Sequence, residues 1–170
     1  MANSTTTPRD NIIKNSGFQP RQDTTALGGS TVSYDFFQGD LLWFDSSAGY
    51  AKPVDSDAHA AYLLGVAARS AYIAPFASMQ VLNGPAIVKN YFDRALFYWA
   101  VIASFYTTSG DTYTPESTVY IGANAQTITN ASGSHAIGIV KLPEQITSLA
   151  GGSNVLVNVL VLRQFPVQSL

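Results

Sequence analysis

The residues equipped for acid–base or metal chemistry are few, and three of them alternate: Asp55, Asp57 and His59. In an extended chain alternate side chains share one face, so two carboxylates and an imidazole would stand together. Such a set would take a divalent cation. Ser56 and Ala58 between them suit a solvated loop equally, and spacing without a defined geometry favours the loop. His135 offers a second arrangement. With Asp111 and Ser132 or Ser134 it could be drawn as a hydrolase triad. The local string Ala131-Ser-Gly-Ser-His lacks the Gly-x-Ser-x-Gly elbow, so a turn residue at a strand start is the favoured reading. Two His and two Glu are a small supply for general acid–base work. The glycine pairs Gly28-Gly29 and Gly151-Gly152 lack the Lys-Ser/Thr of a phosphate loop and the dinucleotide fingerprint. The expectation is a protein that is not an enzyme, with no catalytic residue, metal or cofactor.

Charged residues make up 12% of the chain, against roughly 25% in ordinary soluble domains. A surface built instead from Ser, Thr, Asn, Gly and Tyr suits protein–protein contact better than electrostatic steering. The net charge is −2 and the nine basic residues are scattered, which disfavours nucleic acid. With no cysteine there is no disulfide or thiolate chemistry. The most apolar run, Ala95 to Tyr106, is too short for a membrane-spanning helix and follows Lys89, Asp93 and Arg94. The polar start, Met1 to Pro8, lacks the apolar core of a signal peptide. These features predict neither a membrane association nor an export signal.

The elements that would carry these side chains read as short strands. Residues 1–30 form a polar arm with Pro20 and Gly28-Gly29, too poor in apolar surface to order alone. Ile12, Ile13 and Phe18 would anchor that flexible arm on a neighbouring subunit. From residue 31 to 170 the pattern is that of one mainly-β domain, with turn residues every 8–12 positions as in a sandwich or barrel. Residues 88–106 fit a helical face in part, but their aromatic and β-branched density favours a strand buried on both sides. The last strand, Val155 to Leu162, has Val at every odd position and Leu156, Leu160 and Leu162 at even ones. Both faces are apolar, so another layer or another subunit should cover the second.

A weak duplication runs through the domain, spanning 39–90 and 110–165. Gly39-Asp40 opens the first copy and Gly110-Asp111 the second. Leu63-Leu64-Gly65-Val66 and Ala136-Ile137-Gly138-Ile139 follow at nearly the same spacing. Gly-Asp would make a turn into a strand. Gly65 and Gly138 would permit a bulge or a close backbone crossing. Two such units closing on each other would form a small barrel or β-tulip-like domain, with room for one short helix.

Taken together, Gly39-Asp40-Leu41-Leu42, Gly49 to Val54, Leu64 to Ala67, Gly110-Asp111, Ile137 to Val140 and Val155 to Leu162 resemble the capsid decoration (cement) proteins of tailed phages, of the lambda head decoration type. The stretch Pro85 to Tyr106 is longer and more aromatic than that pattern. The resemblance implies a bacteriophage virion structural protein, made in the host cytoplasm. It would sit on the outer capsid surface as a homotrimer, bound to the major capsid protein. The alternative is a carbohydrate- or receptor-binding β-module of a phage tail or fibre, for which the abundant Tyr would supply contact area. A small hydrolase using His59 or His135 is a third class.

Overall fold

A computed structural model describes residues 11–13, 16–26, 36–69, 94–123 and 126–163. The chain is mainly β. Its strands are β1 (Arg21–Ala26), β2 (Leu41–Asp45), β3 (Tyr50–Pro53), β4 (Leu63–Ala67), β5 (Arg94–Thr107), β6 (Thr112–Tyr113), β7 (Thr118–Ile121), β8 (Thr127–Thr129), β9 (Gly138–Lys141), β10 (Leu149–Ala150) and β11 (Leu156–Leu162). One short helix, α1 (Asp57–Ala60), interrupts them. No helix among the described residues is long and apolar enough to cross a membrane.

β5 is the spine. Its aromatic and β-branched residues settle the 88–106 ambiguity as a strand from Arg94 onward; residues 88–93 lie outside the described residues. On one edge β5 pairs with β11 (Leu156↔Tyr106 to Leu162↔Ala100) and then with β1 (Gln22↔Tyr98 to Ala26↔Arg94). On the other it pairs with β4, with the Ile12 segment and, in parallel, with β8. The circuit β5–β11–β9–β7–β8 and back to β5 is a closed five-stranded barrel. Closure leaves these strands no open edge. Its interior holds Val157, Val159 and Val161 of β11, with Val101, Ala103 and Phe105 of β5.

Two sets of strands pair in the same order. β2 pairs with β3 and β4, and β4 with β5; β7 pairs with β8 and β9, and β9 with β11. Leu42 opposes Gly65 as Val119 opposes Gly138. Val66 opposes Tyr98 as Ile139 opposes Leu160. Counterparts matched in this way share burial. Leu42, Leu64, Ala67 and Phe97 fill a small first core, and Val119, Ile137, Val140 and Val159 line the closed barrel.

At both glycines strands cross too closely for a side chain. A Cβ on Gly65 would meet the Tyr98 carbonyl oxygen at 1.9 Å, and one on Gly138 the Leu160 carbonyl oxygen at 2.3 Å. Gly65 also has φ +142 and lies beside the irregularity that skips Leu64 in the β2–β4 register.

The spatial counterpart of Gly39-Asp40 is Glu116-Ser117, not Gly110-Asp111. Gly39 N–H donates to Ala67 O (2.9 Å) as Glu116 N–H donates to Val140 O (2.9 Å). Ala67 N–H donates to Asp40 O as Val140 N–H donates to Ser117 O, both at 2.8 Å. Glu116 takes the positive φ (62) that Gly39 has (93). Gly110 (φ 90) makes a separate turn out of β5. Composition favours glycine at such turns but does not require it, so the more visible Gly-Asp pair masked the true register.

Nor is the described part of the N-terminal segment a free arm. Ser104 N–H donates to Asn11 O (2.9 Å) and Ile13 N–H to Ile102 O (3.0 Å), filling the β5 edge between β4 and β8. Ile12 packs on the barrel core. Asn11 Nδ2 donates to Gly39 O (3.2 Å) and Ser104 O (3.1 Å), while its buried Oδ1 has no partner. The sequence of β1 is polar, but an open β5 edge supplies a full ladder of backbone partners that composition does not reveal.

Candidate functional site

The chemistry-bearing residues do not converge. Asp55, Asp57 and His59 are not an extended alternation, because α1 begins at Asp57 after Ser56. Within that turn Asp55 pairs with His59 Nδ1, and the His59 ring stacks on Trp43 at 3.8 Å and 7°. Asp57 faces elsewhere. Its carboxylate accepts the backbone N–H groups of Ser134 (3.1 Å) and His135 (3.2 Å), and lies 3.3 Å from His135 Nδ1. It thereby fastens α1 to the loop before β9. No group of three metal-ligating side chains occurs among the described residues.

His135 thus pairs with Asp57, not with Asp111. The Asp111 carboxylate accepts from Thr129 Oγ1 (2.6 Å) and Asn130 N–H (2.9 Å), with the Tyr113 hydroxyl 3.1 Å away. Burial pushes the Asp111 carboxyl up, but these hydrogen bonds outweigh it and hold it below its ordinary value. Tyr113 is buried. Its hydroxyl donates toward Ile128 O (2.8 Å) and accepts from Thr108 N–H (3.2 Å). Burial pushes its pKa up to about 12, and the Asp111 charge adds to the shift. These groups hold a turn in shape.

A second inter-unit tie was invisible in the sequence. Gln126 is buried with φ +66. Its Oε1 accepts from Leu41 N–H (2.6 Å), and its Nε2 donates to Leu41 O (3.2 Å) and Val54 O (2.7 Å). A side-chain amide completes the ladder of β2 from the far unit. A lone Gln in a polar loop gives no sequence signal for this.

The feature with the chemistry of a binding site is the outer face of β9, β11 and β5. The inward residues of β11 are fully buried, but Leu156 is 50% exposed, Leu162 42%, and Tyr106, directly opposite Leu156, 40%. Between them runs a row of half-buried aliphatics. Ile139 opposes Leu160, Leu160 opposes Ile102, and Ile13 continues the row through its bond to Ile102 O. Opposed residues of antiparallel strands project on one face, so the row is contiguous. Beside it Ser104 Oγ donates to Asn158 Oδ1 (2.7 Å), which turns the Asn158 N–H donors outward. The apolar even positions of the last strand pointed to this face. Ile102 and Ile139 joined it only once the register was known.

The other residues singled out from sequence lie apart from it. Ile12 is turned into the core, and Phe18 is half-buried in the run leading to β1. Gly39, Asp40, Gly65, Gly110, Asp111 and Gly138 belong to turns and crossings. Asp40 Oδ2 accepts from Phe37 N–H (2.9 Å) and so closes its own turn.

Compared with known proteins, the chain matches no protein-family model and no curated protein.

Proposed function

We propose that this chain is a non-catalytic virion protein that binds the outer surface of a tailed-phage head and stabilises it, as a capsid decoration protein. In this reading the outer face of β9, β11 and β5 is its contact with protein subunits. The observation that carries the proposal is the Ile139–Leu160–Ile102–Ile13 row, flanked by exposed Leu156, Leu162 and Tyr106. A contiguous apolar strip rimmed by polar groups, here Ser104, Asn158 and the Lys141–Glu116 ion pair, is a protein-contact chemistry. Burying it would contribute roughly 25 cal/mol per Å² of apolar area, less the ordering cost. The partner proposed is the major capsid protein, with self-association into a trimer on the same shell. The low charge of the chain and its resemblance to decoration proteins support the same reading.

The test is co-sedimentation with expanded phage heads. Leu160→Lys combined with Ile102→Thr alters the centre of the strip without touching the inner core. Capsid affinity should fall about tenfold or more, with circular dichroism unchanged. Undiminished sedimentation of the double variant would refute this face as the contact.

A second reading, a glycan-binding module of a tail or fibre, draws on Tyr62. It is 57% exposed, lies 6.4 Å from the Trp43 ring and borders a cavity. Stacking on sugar rings would use it, and a glycan array with Tyr62→Ala as control separates the two readings.

A further inference from the structure

The interior of the first unit is not filled, and a cavity of about 320 Å³ opens there between β1, β2, β4 and β5. Its floor is apolar. Phe97 and Leu64 are buried, and Phe44 packs against the same small core. The register irregularity that skips Leu64 bends β4 where it borders the cavity. One wall is polar, because β1 covers this stretch of β5. Asp23 opposes Phe97 and Thr25 opposes Ala95, and opposed residues project on one face. A carboxylate and a hydroxyl therefore stand over the floor, and both line the cavity. The Arg163 guanidinium lies 3.9 Å from the Asp23 carboxylate, whose side chain is 58% exposed. Tyr62 stands at the rim. Its backbone is fixed, with its N–H donating to His59 O (3.0 Å) and its carbonyl accepting from Phe44 N–H (3.1 Å). Its ring stays exposed, 6.4 Å from the Trp43 ring.

We propose that this cavity is a binding site for one neutral sugar ring, with Tyr62 against the C–H face of the ring and Asp23, Thr25 and Arg163 on its hydroxyls. A sugar ring has an apolar face and a polar edge, and the cavity sets aromatic rings against a polar wall. Each hydroxyl both donates and accepts, and the Asp23–Arg163 pair offers an acceptor beside a donor. That pair carries no net charge. A neutral ligand suits it, whereas an ion of either sign would meet a like charge. The volume lies at the small end of the roughly 300–1,000 Å³ of ligand pockets, room for one ring and not for a chain. An aromatic side chain held from its backbone loses little freedom when a ligand stacks on it. The site deepens the glycan reading and rests on it, adding where the sugar sits and how many rings enter. Its lining shares no residue with the apolar strip of β9, β11 and β5.

Saturation-transfer-difference NMR on the full chain tests this, with glucose, galactose, mannose and N-acetylglucosamine as probes and phenol as an apolar ring of similar size. At least one sugar should bind, with a Kd of about millimolar order for so small a ligand. Asp23→Ala removes an acceptor, and Thr25→Phe fills the cavity with a side chain at home in a strand. Each should weaken binding about tenfold or more, with circular dichroism unchanged. Tyr62→Ala should do the same, and Tyr62→Phe, which keeps the ring face, should bind as the parent does. A sugar that binds the parent and all four variants equally would overturn this site and leave the glycan reading standing. Preference for phenol over every sugar would overturn the ligand class. No response to any of the sugars would overturn the inference, and a glycan array that is blank as well would remove the reading beneath it.

Discussion

In the second unit β8 returns to β5 as a parallel neighbour, and its interior is filled by Val, Ile and Phe. In the first unit β3 has no such return among the described residues, β1 covers the spine with polar side chains, and a cavity remains. Where both units are paired their ladders run in the same register, so backbone pairing is what they share. Side chains are free to differ wherever the backbone alone sustains the turn. Gly49 (φ 79) has Gln126 (φ 66) as its counterpart, and Phe36 has Tyr113. The second unit accepts strain at Gln126 and gains a tie to the first. One half of the molecule is a closed barrel and the other is walled on one side by the polar strand β1.

The largest test of this comparison is at the crossings. Gly65→Ala forces a Cβ onto the Tyr98 carbonyl in a left-handed conformation, and should cost about 3–5 kcal/mol in urea unfolding. Gly138→Ala meets the matching Leu160 carbonyl at a slightly longer distance without the positive φ, and should cost less. The reverse order would show that the two crossings are not equivalent.

Next is the tie between units. Gln126→Ala strands the N–H of Leu41 and removes a donor from Val54 O, while Leu41 O keeps the Val54 N–H, at about 2–4 kcal/mol. Gln126→Gly copies Gly49, and its relief of backbone strain should make it milder by about 1 kcal/mol. Equal losses for the two variants would remove strain from the account.

The smallest effect is the pair Phe36 and Tyr113. Tyr113→Phe should lose about 1–2 kcal/mol at neutral pH. The folded hydroxyl titrates near 12, above its ordinary value near 10. Its neutral form therefore contributes stability that is intact below about pH 10 and fades as pH rises toward 12. The Phe variant should show a shallower alkaline decline than the parent, measured by fluorescence against pH. Identical declines would place the titration elsewhere.

Much of the fold was readable because burial writes itself in side-chain type. Val157, Val159 and Val161 announce an inner face, and the aromatic run through Phe97 and Phe105 a central strand. Leu156, Leu160 and Leu162 signalled that the outer face was unusual. What escaped reading depends on backbone partners. Arg21 to Ala26 carry no strand signature, and only the open edge of β5 makes them a strand. Glu116 hides a turn that Gly110-Asp111 seemed to mark. Asp55 to His59 do not alternate, because the chain turns into α1 at Asp57, whose carboxylate holds the backbone of Ser134 and His135, residues remote in the chain.

The β5–β11 ladder has a further property. Tyr98 and Leu160 are counterparts, which makes Leu162 the counterpart of Ala100, and these two residues pair with each other. A residue meets its own equivalent only on a two-fold axis. Identical subunits most often associate in that isologous way. The β4–β5 and β9–β11 pairs are therefore related about a local two-fold axis at Ala100 and Leu162, by which two strand sets share one continuous sheet.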